Sequence, residues 1–180
     1  MKLFIYLFIF LTGCEQVVLP KQKVFLSQQF PFPSYVDTQK KCLYNFQINE
    51  LSHIYFDENC NSVIKYELLK STIYISNIKI NDNLELIKSD FNKRLSDNSH
   101  KSSIVKSSEF NDRNKNVYAK YFTFIGDSPS NTQFYITDSI SNFISGSLFF
   151  ESKPNYDSLL PSITYMNNDI RKIIQSFKWN

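Results

Sequence analysis

A chain of 180 residues is long enough for one domain with a buried core and too short for two ordinary ones. Hydrophobic residues at 42% and charged residues at 21% exclude a disordered chain and a multi-span membrane protein, and 20 basic against 17 acidic residues, a net charge of +3, point to no nucleic-acid partner. Aromatics reach 16% while glycine occurs 3 times, which excludes Gly-rich nucleotide loops and favours strands with aromatic faces.

In chain order, Lys2 precedes an apolar run, Leu3 to Leu11, that is far shorter than the roughly 20 residues needed to span a bilayer and so reads as the core of a signal peptide. Leu11-Thr12-Gly13-Cys14 follows it directly and has the pattern of a bacterial lipobox. Residues 1–13 are therefore expected to be removed, Cys14 to be acylated, and the protein to be held in the cell envelope by acyl chains rather than by charge, since each buried methylene contributes about 0.8 kcal/mol. Glu15 is not the aspartate that retains lipoproteins in the inner membrane of enterobacteria, so the residues choose neither membrane. Residues 14–34, with Pro20, Pro31 and Pro33, read as a tether, and 35–180 as a single globular domain.

Setting Cys14 aside leaves Cys42 and Cys60, an even number in an oxidising compartment, for which a disulfide is the default. The alternative is a metal site using His53, Asp57 and Glu58, but it has neither CxxC nor HxxxH spacing. Strand-like runs follow at Leu43–Ile48, Ser62–Leu69 and Thr72–Ile80; because Ile73 and Ile75 are out of phase with Ile78 and Ile80, the last predicts a bulge near Ser76-Asn77. Leu84, Ile87, Phe91 and Leu95 then mark one face of a helix, with Asn81 and Asp82 as candidate caps and His100 in its polar exit.

A second block of strands covers Ser103–Phe110, Asn116–Ile125, Thr132–Thr137 and Asn142–Phe150. Residues 126–131 have turn composition, so the two strands flanking them should form a hairpin, and Gly146 inside the last strand suggests a bulge or a close neighbour. The segment Asp157–Trp179 is the strongest helix, with an apolar stripe at Ile163, Met166, Ile170, Ile173, Ile174 and Phe177, and Pro161 is expected to fix where regular helix begins. Strands, helix, strands and terminal helix predict an α+β fold, a mainly antiparallel sheet packed with helices and closed by an amphipathic C-terminal helix. The element order also resembles the PsbP and Mog1 type of sandwich.

Nothing advertises catalysis, a cofactor or a metal. His53 and His100 are the only histidines and neither lies near a G-x-S-x-G element. Each candidate carboxylate has a plainer role: a turn side chain for Asp138, a helix cap for Asp157, a solvated helix face for Asp169.

The run Gln133-Phe134-Tyr135-Ile136-Thr137-Asp138-Ser139, then Phe143, Gly146 to Phe150, Pro154-Asn155, Asp157 to Leu159 with Pro161, and Phe177-Lys178-Trp179, resembles the GldD family of gliding-motility lipoproteins of the Bacteroidota. The likeness extends to the lipobox, to Pro20-Lys21 with Lys23, and to Cys42 and Cys60; it departs in residues 24–36 and 97–116. The resemblance implies a non-catalytic lipoprotein facing the periplasm, required for gliding and for type IX secretion of cell-surface adhesins, with other proteins of that machinery as partners. Asp138-Ser139-Ile140 and Asp157-Ser158-Leu159 also resemble the three-residue O-glycosylation acceptor of exported proteins in this phylum. The alternative is an envelope lipoprotein binding a small ligand or cell-wall fragment. A binder should have a pocket of several hundred Å³ lined by aromatics, an assembly factor a filled core and an exposed apolar patch.

Overall fold

The computed structural model describes residues 30–38 and 42–180. A seven-stranded antiparallel sheet forms its centre, in the order β4 (His53–Phe56), β5 (Ser62–Tyr66), β6 (Ser71–Lys79), β10 (Asn142–Phe150), β9 (Thr132–Thr137), β8 (Val117–Gly126) and β7 (Ser102–Asp112). Two ribbons complete the fold, β1 (Tyr35–Asp37) with β3 (Gln47–Asn49) and β2 (Tyr44–Asn45) with β11 (Lys178–Trp179). Helix α1 (Leu84–Ser99) covers one face of the sheet and α2 (Tyr156–Ser176) the other. The α+β class expected from the element order is the one found.

The two faces differ in weight because the strands alternate. Ile73 and Ile75 of β6, Phe134 and Ile136 of β9, and Ile144 and Leu148 of β10 point toward α2, meeting Met166, Ile170, Ile173 and Ile174 in the main core. The opposite set, Ile78, Phe122, Tyr135 and Phe143, meets Ile87 and Phe91 of α1 in a smaller aromatic core. Phe91 stands edge-on to Tyr135 with centroids 5.3 Å apart. The stripes read from the sequence in both helices are thus the buried ones.

This two-sided burial corrects the expected bulge at Ser76-Asn77. β6 pairs with β10 without a slip, from Ser71 opposite Phe150 to Lys79 opposite Asn142. The isoleucines change phase because Ile73 and Ile75 serve the α2 core and Ile78 the α1 core, so no backbone irregularity is needed. The hairpin of β8 and β9 forms as expected, with Thr123 opposite Thr132. Gly146 lies opposite Phe134, and a Cβ added there would stand 2.2 Å from the Phe134 ring. The glycine marks a close neighbour, as expected of one of its two readings.

The helix ends also depart from expectation. Asn81 and Asp82 do not cap α1; Asn83 occupies the cap position, its Oδ1 accepting from the Asn81 N–H at 2.9 Å while Asp82 takes a φ of 55°. Nor does Pro161 set the start of α2, and Asp157 is not its cap. The Asn155 side chain accepts from Ser158 N–H, and Asp127 in the β8–β9 turn accepts from Tyr156 N–H at 2.8 Å, so two first-turn donors are satisfied and the helix begins at Tyr156, five residues before the proline. α2 ends at Ser176 rather than Trp179, because Phe177 turns extended and Lys178–Trp179 pairs with Asn45 and Tyr44. The run Leu43–Ile48 is likewise split, its halves pairing with β11 and β1.

Candidate functional site

Cys42 and Cys60 form a disulfide with Cα atoms 5.8 Å apart. It ties the entry of β2 to the β4–β5 turn, where Asp57 Oδ1 accepts from the N–H groups of Asn59 and Asn61 at 2.9 and 2.8 Å. The side-chain hydrogen bond from Asn61 is the main reason the Asp57 carboxyl is held below its usual range. Beside the bridge, Tyr44, Phe46 and Phe177 form stacked pairs at centroid separations of 6.0, 5.4 and 6.2 Å, and Trp179 meets Phe177 edge-on at 4.7 Å. Burial pushes the Tyr44 hydroxyl up to about 12, and that hydroxyl donates to the Cys60 carbonyl. The C-terminal Phe177-Lys178-Trp179 therefore closes the domain against its disulfide. Reducing the bridge, which closes a span of 18 residues, is expected to destabilise the fold by about 3 kcal/mol and lower Tm by about 10 °C in a thermal melt with and without reductant. An unchanged Tm would contradict this role.

Asp169 corrects a sequence expectation outright. The sequence predicts it on a solvated helix face, yet it is 1% exposed. Its Oδ1 accepts from the Tyr35 hydroxyl at 2.7 Å and its Oδ2 from Asn49 Nδ2 at 2.9 Å, while Asn49 Nδ2 also donates to the Tyr165 hydroxyl at 2.9 Å. Tyr165 in turn donates to the Pro31 carbonyl at 3.1 Å, and Phe30 packs on its ring with centroids 5.2 Å apart. Burial first, and the Asp169 carboxylate second, push the Tyr35 and Tyr66 hydroxyls well above their usual range. The cluster thus fastens β1 and the segment before it to α2. Periodicity placed Asp169 on the polar side of α2; it did not reveal that the β1–β3 ribbon covers that side.

The other candidates are scattered. His53 lies exposed on β4 and His100 exposed at the end of α1, next to opposite edges of the sheet. Asp138 is the expected turn residue: its Oδ1 accepts from Ile140, Ser141 and Asn142 N–H at 2.8 to 2.9 Å. Burial raises its pKa, but these bonds together with the Asn142 amide outweigh burial and bring it below the usual range. Ser139 is exposed on that loop with φ 64°, and Ser158 sits in the first turn of α2, its Oγ donating to the Asn155 carbonyl at 3.0 Å. Cys14 lies outside the described residues. Among the described residues no group of three His, Cys, Asp or Glu side chains is gathered, and no helix is long and apolar enough to cross a membrane.

Two surface features stand out. A groove of about 230 Å³ runs between α2 and the β7–β8 pair, lined by Ser108, Phe110, Ala119, Tyr121, Arg171 and Ile174. Arg171 bridges it, donating from Nε and Nη2 to the Tyr121 hydroxyl at 2.8 and 2.6 Å. At the start of α1, a cleft bounded by Leu84, Leu86 and Ile140 leaves Leu86 62% and Ile140 75% exposed. The first is small for a ligand pocket; the second is an open cleft of about 650 Å³ without aromatic lining, whose rim carries Asp82, Asn83, Glu85 and Ser139 beside the exposed Leu86 and Ile140.

No curated protein and no solved structure matches the chain. One family model does, that of Gliding motility lipoprotein GldD, over residues 15–179. The matched span takes in every described strand and helix, from the Tyr35 contact with Asp169 to the closing Trp179, and the chain therefore belongs to the GldD family of gliding motility lipoproteins.

Proposed function

We propose that this protein is anchored through an acylated Cys14, faces the periplasm, and acts without catalysis by binding other components of the gliding and type IX secretion apparatus. The observation that carries this is the span of the family match, which begins at Glu15, immediately after the lipobox cysteine, and runs through the whole folded domain. A domain filled with aromatic and branched side chains, with its histidines apart and apolar side chains exposed at Leu86 and Ile140, is suited to contact rather than turnover. Residues 14–34 serve as the tether; its last residues, from Phe30, lie on α2, so the 16 residue steps from Cys14 to Phe30 allow the domain at most about 55 Å of reach. Ser139, exposed on its loop, is the better placed of the two glycosylation acceptors, Ser158 being engaged in the helix start.

Deleting the gene is expected to abolish both spreading on agar and export of surface adhesins, and Cys14→Ser to leave an unprocessed precursor. Intact-mass measurement of the wild-type protein should show the acyl increment of a lipoprotein and, if Ser139 or Ser158 is modified, a hexose increment. Single substitutions of His53, His100 or Asp138 should reduce gliding only modestly, since a binding surface spreads its energy over several anchors. A deletion strain that glides and secretes normally would overturn the proposal, as would one such substitution that abolishes function in a folded protein.

A further inference from the structure

The two edges of the central sheet are unequal. β4 has four residues, the short edge that native sheets commonly present to solvent, whereas β7 has eleven, no proline, and a register irregularity only at its start, between Ser102 and Ile104. Its free side is identifiable. Phe124 N–H donates to the Asn131 carbonyl at 2.9 Å, so even-numbered residues of β8 bond toward β9 and odd-numbered ones toward β7. The Ser103 hydroxyl reaching the Ile125 carbonyl at 2.9 Å agrees with this alternation. Their partners Lys106, Ser108 and Phe110 therefore direct their backbone groups inward, leaving the N–H and C=O groups of Val105, Ser107 and Glu109 facing outward. Ile104 and Val105 are 52% and 44% exposed.

The α2 side of this edge carries a charge pattern as well. Lys106 shares a face with Ser108 and Phe110, which line the groove holding Arg171. Glu109, also at the groove, is paired with Lys120 at 3.0 Å, and Arg171 makes its bonds to the uncharged Tyr121 and Asn168. Lys106 on the edge strand and Arg171 over the neighbouring β8, in the groove that Ser108 and Phe110 also line, thus have no carboxylate engaging them among the described ion pairs.

We propose that β7 receives an extended acidic segment of a partner protein as an eighth strand, its backbone bonding to Val105, Ser107 and Glu109 and its carboxylates meeting Lys106 and Arg171. This names the surface for the contact role above and rests on it. The N–H of Ser107 faces the free edge, so Ser107→Pro removes an outward donor without removing a β7–β8 bond.

The probe is a synthetic peptide alternating valine with glutamate, added to the full mature protein, with amide hydrogen exchange read by residue. Exchange at Val105, Ser107 and Glu109 should slow by about tenfold or more at saturation. The effect should be lost in Ser107→Pro and weakened in Arg171→Gln, with the circular dichroism spectra of both unchanged. The same peptide with lysine for glutamate should give no protection. Unchanged exchange at these three amides, equal protection by the lysine peptide, or protection that depends on protein concentration without peptide, which would make the occupant a second copy, each overturns the proposal. In cells, Ser107→Pro should stop spreading at a normal protein level. A Ser107→Pro strain that spreads while the deletion strain does not would defeat the edge and leave the contact role standing.

Discussion

Replacing Gly146 with alanine should destabilise the domain by about 2–3 kcal/mol, among the largest effects available from a single methyl group here. The new Cβ would lie 2.2 Å from Cζ and 2.4 Å from Cε1 of Phe134, a ring with no exposed surface, packed directly opposite on β9. A core at crystal-like density has no slack to move that ring without displacing its neighbours. Phe134→Leu alone should also destabilise, through the space it leaves. In the double variant the costs should fall well short of their sum, because the smaller side chain makes room for the methyl group. Urea unfolding of the four proteins measures this. A Gly146→Ala variant within about 0.5 kcal/mol of wild type, or strictly additive costs, would show that the contact is not tight.

Removing the Asp169 carboxylate is the second large effect. Asp169→Ala leaves the Tyr35 hydroxyl and one Asn49 amide hydrogen without their acceptor in a buried site, and should cost about 3 kcal/mol. Asp169→Asn keeps one acceptor oxygen and the shape, and should cost about half as much. The loss has a local signature: β1 is held by its ribbon with β3 and by Tyr35, so amide exchange at Val36 and Ile48 should rise in Asp169→Ala more than exchange in β9 or β10. Equal destabilisation by both substitutions, or a uniform rise in exchange, would mean that Asp169 does not fasten the ribbon.

The cluster also bears on function. It joins Phe30 and Pro31, the first described residues, to the helix that lines the β7 groove, since Tyr165, Asp169 and Arg171 all belong to α2. The Lys172 ammonium, 5.2 Å from the Tyr35 ring centroid, adds to the same contact.

Local patterns determined much of this protein. Nine apolar residues and a lipobox point to a lipoprotein, the class of the matching family; alternation and a 3.6-residue period gave the long strands, the β8–β9 hairpin and the buried stripes of both helices, because each depends on which face of one element avoids water. Motifs at Gln133–Ser139, Gly146–Phe150 and Phe177–Trp179 carried the family likeness, and Cys42 and Cys60 declared a bridge by count and compartment. What only the tertiary structure decided depends on contacts between distant segments. Ile78 reads as a slipped strand until a helix is found on each face of the sheet. Asp169 reads as solvated until the β1–β3 ribbon, from more than a hundred residues earlier, closes over it. Lys178–Trp179 reads as helix until Tyr44–Asn45 offers it a strand partner, and β7 stands at the edge of the described strands only through the order in which seven of them pair. Periodicity reports how one element divides between water and protein, but not which neighbour supplies the protein side, and that choice is made by the energy of the whole packed arrangement.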